Sequence, residues 1–406
     1  MSIVFPRLGA FVVWIASLPV FAANVQLGTN VSDFEQFYNR GGGSVEHIQC
    51  IFDHLGYTPE IQRMPWRRAR QEVSTGKIDG FFTAIHTPEV DKYATLSAPL
   101  LLENWYWYWA AGTEAPDQWR NGGIRVGAIL GSHQAVWLDQ QGYPVHMRIN
   151  SLPQLIKLLL SGRIDAFIAD RDHMRAAVEA LGVDINQYQE RFLRYMPLGV
   201  YFGDEFLTAR PEFLKAFNRH IIECTESGFV MSALEQAELH SWLSPLLSEW
   251  QRTPGLVAAL KAQNRHHTDL AQEALVQMDQ AWQEAFREGA YGEVQSWLDQ
   301  VLSDRLRALA VDADGRITEV ILTDLKGLNV AVSDMTSDYW QGDEAKFQRA
   351  IALSAGQLNF EPVEYDESTR RFQVHVSQPV KDPDTGELLG MLIVGVDVDK
   401  ALSRPH

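Results

Sequence analysis

Cysteine is scarce in this sequence, with only Cys50 and Cys224 among 406 residues and no CxxC motif. A secreted lipoprotein needs a cysteine at its cleavage point, and because the first cysteine is Cys50 we expect no lipid tether. In an oxidising compartment the two cysteines predict either one disulfide or two buried free thiols.

Basic residues are fewer than acidic ones, and long hydrophobic runs are rare. Lys and Arg number 35 against 52 Asp and Glu, which gives a formal net charge of -17. This balance disfavours nucleic acid as a partner, because phosphate neutralisation needs a basic face. Beyond the N-terminus no run reaches the roughly 18 uncharged apolar residues that cross a bilayer, so we expect no membrane insertion.

Motifs of catalysis and metal binding are absent as well. The sequence has no HExxH, GxSxG, GxxxxGKS/T or GxGxxG. The acidic turns at 312–315 and 382–387 complete no Ca²⁺ loop. His266 and His267 lack a third ligand at metal spacing, which favours a solvated helix face. We therefore expect no enzymatic activity, no catalytic residue, no cofactor and no metal ion.

The first 22 residues have the features of a secretory signal peptide. A single cation, Arg7, precedes an apolar run, and the segment ends in Val-Phe-Ala at 20–22. We expect a soluble periplasmic protein whose roughly 380 mature residues form two or three domains. Residues 253–406 hold 14 Lys and Arg against 25 Asp and Glu, which leaves 21 against 27 for the rest. The C-terminal part is thus the more acidic.

Alternating strand and helix patterns in the N-terminal half predict an α/β fold. Trp66, Ala69 and Val73 recur at helical spacing, and Gly76 stands at the position of a helix C-cap. An apolar strand follows at 78–85. A second series of strands and helices begins with the strand at 124–130.

Three features of this half suggest a ligand cleft. Five consecutive aromatic residues at 105–109 predict a strand buried on both faces or a hinge crossing; alternatively, one or two rings line the cleft. Ser132 either caps a helix or helps the positive helix end to hold an anionic group. Asp170 follows the strand at 164–169, and ligands of open α/β sheets lie outside the carboxyl ends of strands.

Residues 24 to about 230 resemble a type II periplasmic solute-binding protein of the family that serves amino-acid ABC transporters. The matching motifs stand in the family's order: PWRRA (65–69), GKIDG (76–80), TPE and LSAPL (within 87–100), VGAILGS (126–132) and SGRIDAFIAD (161–170). The resemblance implies two α/β lobes, joined by two hinge crossings, that trap a ligand between them. Lobe 1 would comprise residues 24 to about 110 and 195–230, and lobe 2 residues 111–194.

The same resemblance implies ligand-binding side chains from both lobes. They are Trp66, Arg68, Thr83, Ser132, Gln134 and Asp170. The carboxylate of Asp170 would receive a ligand amine. The arginine with which the family clasps an α-carboxylate would follow TPE, where this sequence has Val90, and Ile85 replaces a hydroxyl five residues earlier. We therefore expect Val90→Arg to improve amino-acid binding.

The sequence from 231 to 300 predicts a helical connector, and strand patterns return in 301–406. Residues 252 to about 400, which include a helical lead-in, resemble a Cache domain, the extracellular PAS-like sensor module with an α+β fold. The motifs are TDLKGLNVAVSD, TSDYWQGDEAKF, EPVEYDEST and the final LIVGVDV strand. The resemblance implies a small ligand between the sheet and the helices. Its candidate contacts are Tyr339, Trp340, Asp343 and Asp397.

Together these features predict a periplasmic binding protein for a small solute, amino-acid-like or otherwise polar or aromatic, with an appended Cache module. It would serve transport or ligand sensing, with a membrane transporter or receptor as its partner. One alternative is an accessory signalling protein that passes its ligand state to a membrane receptor. Another is a lyase on the binding-protein scaffold, although Val90 removes the anion clamp that a dehydratase needs.

Overall fold

A computed structural model describes most of the chain. The described residues are 23–30, 44–113, 123–224, 229–354, 356–366 and 371–403. The expected signal peptide, residues 1–22, lies outside them. Within the described part, no helix is both long enough and apolar enough to span a bilayer.

Lobe 1 is a parallel α/β layer. Its first elements are β1 (Ala23–Thr29), α1 (Ser44–Leu55), β2 (Tyr57–Arg63), α2 (Trp66–Ser74), β3 (Gly80–Ala84) and β4 (Ala94–Leu96). β1 lies between β2 and β3 and runs parallel to both. Helix α2 buries Ala69 and Val73, and just beyond its end Gly76 has φ of +66°, a conformation that glycine adopts without steric cost.

Lobe 2 repeats this arrangement. The elements of this part of the chain are β5 (Leu101–Ala110), β6 (Val126–Ile129), α3 (His133–Gln140), β7 (Val145–Ile149), α4 (Leu152–Leu160), β8 (Ala166–Asp170), α5 (Arg171–Leu181) and a 3-10 turn (Ile185–Gln187). β6 lies between β7 and β8 and is parallel to both. Leu155, Ile156 and Leu159 of α4 supply the apolar face that packs on this sheet.

Two antiparallel strands join the lobes. β9 (Tyr188–Gly203) pairs with β5 along its first part and with β3 and β4 along its last part. Helices α6 (Asp204–Thr208) and α7 (Phe213–Cys224) then complete lobe 1. The strand order is β2-β1-β3-β9-β5-β8-β6-β7, with β4 beside β9. The prediction of two α/β lobes with two crossings is confirmed by this topology.

The five consecutive aromatic residues form the centre of β5 and are all buried. Tyr106 and Tyr108 face one hydrophobic core, whereas Trp105, Trp107 and Trp109 face another on the opposite side of the strand. Side chains alternate between the two faces of a strand, so both faces are covered here. The interpretation as a strand buried on both faces is therefore confirmed.

The two cysteines form a disulfide that links α1 to α7. Cys224 is buried and Cys50 is half-buried, and both lie at the hydrophobic core of lobe 1 beside Phe52 and Phe217. Of the two alternatives that the sequence leaves open, the disulfide is the one that the structure contains.

The remaining chain consists of helices followed by an antiparallel sheet. The helices are α8 (Ala233–Trp250), α9 (Leu256–His266), α10 (Gln272–Glu288), a 3-10 turn (Val294–Trp297) and α11 (Gln300–Asp312). The later elements are β10 (Ile317–Thr323), β11 (Asn329–Val332), α12 (Ala345–Gln348), β12 (Asn359–Phe360), β13 (Glu364–Asp366), β14 (Arg371–Lys381), β15 (Leu388–Asp397) and α13 (Val398–Leu402). The sheet order is β11-β10-β15-β14-β12, and β13 pairs with β14. We call this part the C-terminal domain.

The C-terminal domain packs on lobe 2 without an intervening gap. One hydrophobic core includes Phe167 of lobe 2, Leu243 and Trp250 of α8, and Val374 and Val394 of the C-terminal sheet. Since burial of apolar surface stabilises in proportion to its area, this core holds lobe 2 and the C-terminal domain together.

His267 differs from expectation. Its side chain is buried, and its Nδ1 lies 2.6 Å from Oδ2 of Asp324, which is fully buried. The prediction of a solvated helix face is wrong for this residue, whereas the adjacent His266 is exposed. The pair joins the end of α9 to the turn after β10.

Candidate functional site

A cavity of about 640 Å³ lies between the two lobes and is termed the interlobe cavity. It is lined by residues at the carboxyl ends of β1, β3, β6 and β8 and at the N-terminal ends of α1 to α5. Parallel strands bring their carboxyl ends to one edge of a sheet, where ligands of α/β proteins bind. The fold therefore positions this cavity where a ligand is expected.

Five of the six residues that the sequence assigns to the two lobes line the interlobe cavity. They are Trp66, Thr83, Ser132, Gln134 and Asp170. The sixth, Arg68, lies on the exposed side of α2, where its Nε donates to Oε1 of Glu72 at 2.7 Å. Helix α2 thus directs Trp66, but not Arg68, into the cavity.

Thr83 has an unusual backbone conformation at the edge of the cavity. Its φ is +58°, in the left-handed region where a β-branched side chain is strained. The pairing of β3 with β9 shifts register between Phe82 and Ala84, so Thr83 is the bulged residue. Its hydroxyl donates to the carbonyl of Phe82 at 2.7 Å. Because of this bulge, the Thr83 carbonyl can accept a hydrogen bond from a group outside the sheet.

That carbonyl accepts a hydrogen bond from lobe 2. Nε2 of His133, at the start of α3, lies 3.0 Å from the Thr83 oxygen and must be the donor, because a carbonyl only accepts. The imidazole also packs against Trp66, with 5.2 Å between ring centroids. Burial lowers the pKa of His133 to about 4, although the bond to Thr83 opposes this shift. The ring is therefore neutral near neutral pH and joins the two lobes.

Ser132 and Gln134 hold α3 at the cavity wall. The Ser132 hydroxyl accepts from the Ala135 N–H at 3.1 Å, which is N-capping. Nε2 of Gln134 donates to Oε2 of Glu103 at 3.3 Å, and Nε1 of Trp105 donates to the same oxygen at 2.6 Å. Glu103 is a lining residue that the motifs did not indicate; the available signal was a charged residue two positions before the buried aromatic run.

Asp170 is fixed by backbone groups. Its Oδ1 accepts from the N–H groups of Asp172 and His173, both at 3.0 Å, and its Oδ2 accepts from the Asn104 N–H at 2.9 Å. The residue ends β8 and caps α5, so the carboxylate is buried and oriented before any ligand arrives. Such preorganisation reduces the entropic cost of binding.

The charge of the interlobe cavity is negative. Its described lining contains three carboxylates, Glu103, Asp170 and Asp172, and two histidines, but no lysine or arginine. Burial, followed by the neighbouring charge of Asp170, raises the pKa of Asp172. A cationic group in the cavity would stabilise the ionised form of Asp172 and so oppose this increase of its pKa.

Val90 and Ile85 lie outside the described lining of this cavity. Val90 is 1% exposed and packs in a lobe 1 core with Met64 and Tyr201, while Ile85 is buried in the core beside Trp105. In this structure the side chain introduced by Val90→Arg would enter that core, away from the described lining, so the structure does not support the expected gain in amino-acid binding.

A second cavity, of about 320 Å³, lies in the C-terminal domain and is termed the C-terminal cavity. None of the four residues that the sequence suggests for a ligand in this domain is among its described lining. Tyr339 is buried and stacks on Trp282, with 5.1 Å between ring centroids. Nε1 of Trp340 donates to the carbonyl of Lys326 at 2.8 Å.

The other two suggested residues are carboxylates. Asp343 is exposed. Asp397 is buried at the N-terminus of α13, where its side chain accepts from the Lys400 N–H at 3.1 Å. It caps this helix, and its Oδ2 lies 3.8 Å from Nη1 of Arg371.

No protein-family model and no curated protein sequence matches the chain. Solved structures match half of it. The histidine-bound substrate-binding protein of an ABC uptake transporter from Streptococcus pneumoniae is 18% identical over 50% of this chain and 87% of its own, with a TM-score of 0.40. The ligand-binding core of GluR0 from Nostoc punctiforme, in complex with L-glutamate, is 15% identical over 50% of this chain and 93% of its own length, with a TM-score of 0.40. A histidine kinase sensor domain with similarity to periplasmic binding proteins is 13% identical over 50% of this chain and 90% of its own length, with a TM-score of 0.40.

Proposed function

We propose that residues 24–230 form a type II periplasmic solute-binding domain that binds a small amine-bearing solute in the interlobe cavity. The observation that carries this proposal is the charge of the lining. Glu103, Asp170 and Asp172 contribute carboxylates, and no lysine or arginine lies among the described lining residues. An ammonium about 4 Å from a carboxylate gains about 4 kcal/mol at the effective dielectric of a protein surface, whereas a ligand carboxylate would be repelled.

The aromatic wall supports the same ligand class. Trp66 is half-buried and lines the cavity, and indole is the strongest cation–π partner among side chains. The bond from His133 to Thr83 exists only when the lobes lie close together, so it supports trapping of the solute between them. Export to the periplasm by the signal peptide and delivery to a membrane transporter complete the proposal.

Isothermal titration of the secreted chain tests the ligand class. We expect putrescine or ethanolamine to bind and the neutral 1,4-butanediol and the dianion succinate not to bind. Glu103→Gln and Asp172→Asn should each weaken binding about tenfold, because each removes one charge-assisted contact. Glu212→Gln, a change of an exposed carboxylate in lobe 1, is the matched control. Binding of succinate but no amine would overturn the proposed ligand class.

A second function, ligand sensing, is favoured by a contact at the hinge. The Tyr195 N–H in β9 donates to Oδ1 of Asp399 in α13 at 2.9 Å, so the C-terminal domain bonds directly to a strand that crosses between the lobes. We propose that residues 301–406 form a Cache, PAS-like module and that lobe movement reaches it through β9. Crosslinking in cells is the test: recovery of a membrane receptor supports accessory signalling, and recovery of a transporter alone counts against it.

A further inference from the structure

One end of the α1–α7 helix pair carries three side chains of metal-ligand type. His54 lies in the last turn of α1, and His220 and Glu223 lie near the end of α7. Since His220 and Glu223 are three residues apart, they share a face of their helix. One ligand atom from each of the three side chains lies within 4.8 Å of the others. We propose that this histidine–glutamate cluster binds Zn²⁺ or a similar divalent transition-metal ion.

Both imidazoles present a nitrogen to the same carboxylate oxygen. Nδ1 of His220 lies 2.5 Å from Oε2 of Glu223, and Nδ1 of His54 lies 3.9 Å from that oxygen. The two rings are stacked, with 5.0 Å between centroids and 15° between planes. The ligand atoms of a tetrahedral zinc ion lie roughly 3.4 Å from one another. One observed distance is shorter and the other longer than this, so small side-chain rotations bring the atoms to metal spacing.

The ligand types select the class of metal ion. Imidazole nitrogen suits zinc, copper and nickel, whereas Ca²⁺ and Mg²⁺ take oxygen ligands. Two histidines and one carboxylate are also a ligand set of zinc sites that keep an open fourth position. The side chains of His54 and Glu223 are 50% and 47% exposed. The fourth position of the ion is therefore open to solvent or to a small ligand.

The carboxylate of the cluster favours its ionised form. The hydrogen bond from His220 lowers the pKa of Glu223 below its ordinary value. An ionised carboxylate only accepts, so Nδ1 of His220 is the donor. A bound metal ion would take the place of this proton, which then resides on Nε2 of the neutral ring. The charge of Arg219 opposes a cation here, but it is the smallest of the influences on the pKa of Glu223.

The disulfide holds the two helices together beside the cluster. Cys50 stands one turn before His54 on α1, and Cys224 directly follows Glu223 on α7. Both sulfur atoms lie within 4.8 Å of a ring nitrogen of His54, but they are bonded to each other. The oxidised protein therefore offers the two imidazoles and the carboxylate as ligands. Because the bond fixes the helix pair in advance, less conformational entropy is lost when an ion binds.

The histidine–glutamate cluster is separate from the interlobe cavity. Ser44 at the start of α1 lines that cavity, whereas His54 is in the last turn of the same helix. The two positions lie about 15 Å apart along the helix axis. Metal binding at the cluster therefore does not depend on the solute proposed for the cavity. The sequence did not indicate this site, because α1 and α7 are far apart in the chain.

A competition titration with ZnCl2 against a chromogenic chelator tests this site. The protein is the untagged secreted chain, without reductant, so that the disulfide stays intact. We expect one saturable Zn²⁺ site per chain. His54→Gln, His220→Gln and Glu223→Gln should each weaken binding at least about tenfold, because loss of a ligand costs no less than loss of an outer partner. His240→Gln, at an exposed position of α8, is the matched control and should leave the dissociation constant unchanged.

Circular dichroism checks that each variant is folded. His54 is exposed, so His54→Gln keeps the test decisive if His220→Gln unfolds. The site is overturned if the natural chain shows no saturable Zn²⁺ binding, or if His54→Gln leaves that binding unchanged. It is also overturned if His240→Gln weakens binding as much as His54→Gln does. A dissociation constant for CaCl2 as low as that for ZnCl2 would likewise contradict a site built on imidazole nitrogen.

A second measurement tests whether the ion joins the two helices. In a chain that carries both Cys50→Ser and Cys224→Ser, Zn²⁺ should raise the urea midpoint of unfolding, because an ion that binds only the folded state stabilises it. The same addition should have no effect once His54→Gln is combined with the two serine substitutions. An equal rise in both chains would show that the stabilising ion binds elsewhere, and no rise in either would contradict the bridge between α1 and α7.

Discussion

Nε2 of His133 donates a hydrogen bond to the carbonyl of Thr83, and this bond joins lobe 2 to lobe 1 across the interlobe cavity. Both partners depend on local backbone features. Thr83 is the bulged residue at the end of β3 with φ of +58°, and His133 begins α3 directly after its N-cap. The strained backbone at Thr83 therefore accompanies a contact between the lobes, and strained residues are common at ligand clamps.

The first prediction concerns the pH dependence of this contact. Burial lowers the pKa of His133 to about 4 from an unfolded value near 6.5. A depressed histidine pKa means that the unfolded or open state binds the proton first, so the contact contributes fully above about pH 6.5 and is lost as pH falls towards 4. We expect small-angle scattering to detect lobe opening over this range. His133→Gln keeps an N–H donor but cannot be protonated, so its profile should be flatter; an identical profile would contradict the assignment.

The second prediction concerns the disulfide between α1 and α7. Cys50→Ser combined with Cys224→Ser should lower the free energy of unfolding of lobe 1 by about 2–4 kcal/mol, since the bond closes a long loop and limits the unfolded chain. Urea denaturation measures the change. Reductant should produce the same loss in the natural protein and no further loss in the double variant; a natural protein insensitive to reductant would contradict the prediction.

The third prediction concerns Val90. Val90→Arg places a guanidinium in the core beside Met64 and Tyr201, so we expect a loss of more than about 3 kcal/mol in unfolding free energy and no gain in amino-acid affinity. Thermal denaturation and isothermal titration measure the two effects. Glu89→Arg is the matched control, because its exposed position should change stability by less than about 0.5 kcal/mol.

Local patterns predicted the elements of both lobes because strand and helix periodicities depend on neighbouring residues alone. Ser132 and Asp170, which line the interlobe cavity, were predictable in the same way, since one stands where a helix begins and the other where a strand ends, whereas Thr83 was implied by the family resemblance alone. The contact of His133 was not predictable in this way. Its partner is a backbone carbonyl 50 residues away, and a carbonyl has no signature in the sequence.

The C-terminal half was harder to predict because several of its side chains pair with residues far away in the sequence. His267 meets Asp324 57 residues later, so its neighbours in sequence did not indicate its burial. Tyr339 illustrates the same limit, because an aromatic residue near a predicted helix fits a core and a ligand wall equally well, and here it stacks on Trp282.

The last prediction concerns Asp399, which connects α13 to the hinge strand β9. Burial raises its pKa to about 6, although the Tyr195 N–H and the charge of Arg194 oppose the shift. A raised carboxyl pKa means that the folded state holds the proton more tightly, so stability is greatest below about pH 3.9 and falls as pH rises through 6. Asp399→Asn keeps an oxygen for the Tyr195 N–H and removes the buried charge. We expect it to raise the free energy of unfolding by up to about 2 kcal/mol at pH 7.5 and by little at pH 4. Urea denaturation at both pH values measures this, and a gain of equal size at pH 4 would contradict the titration of Asp399.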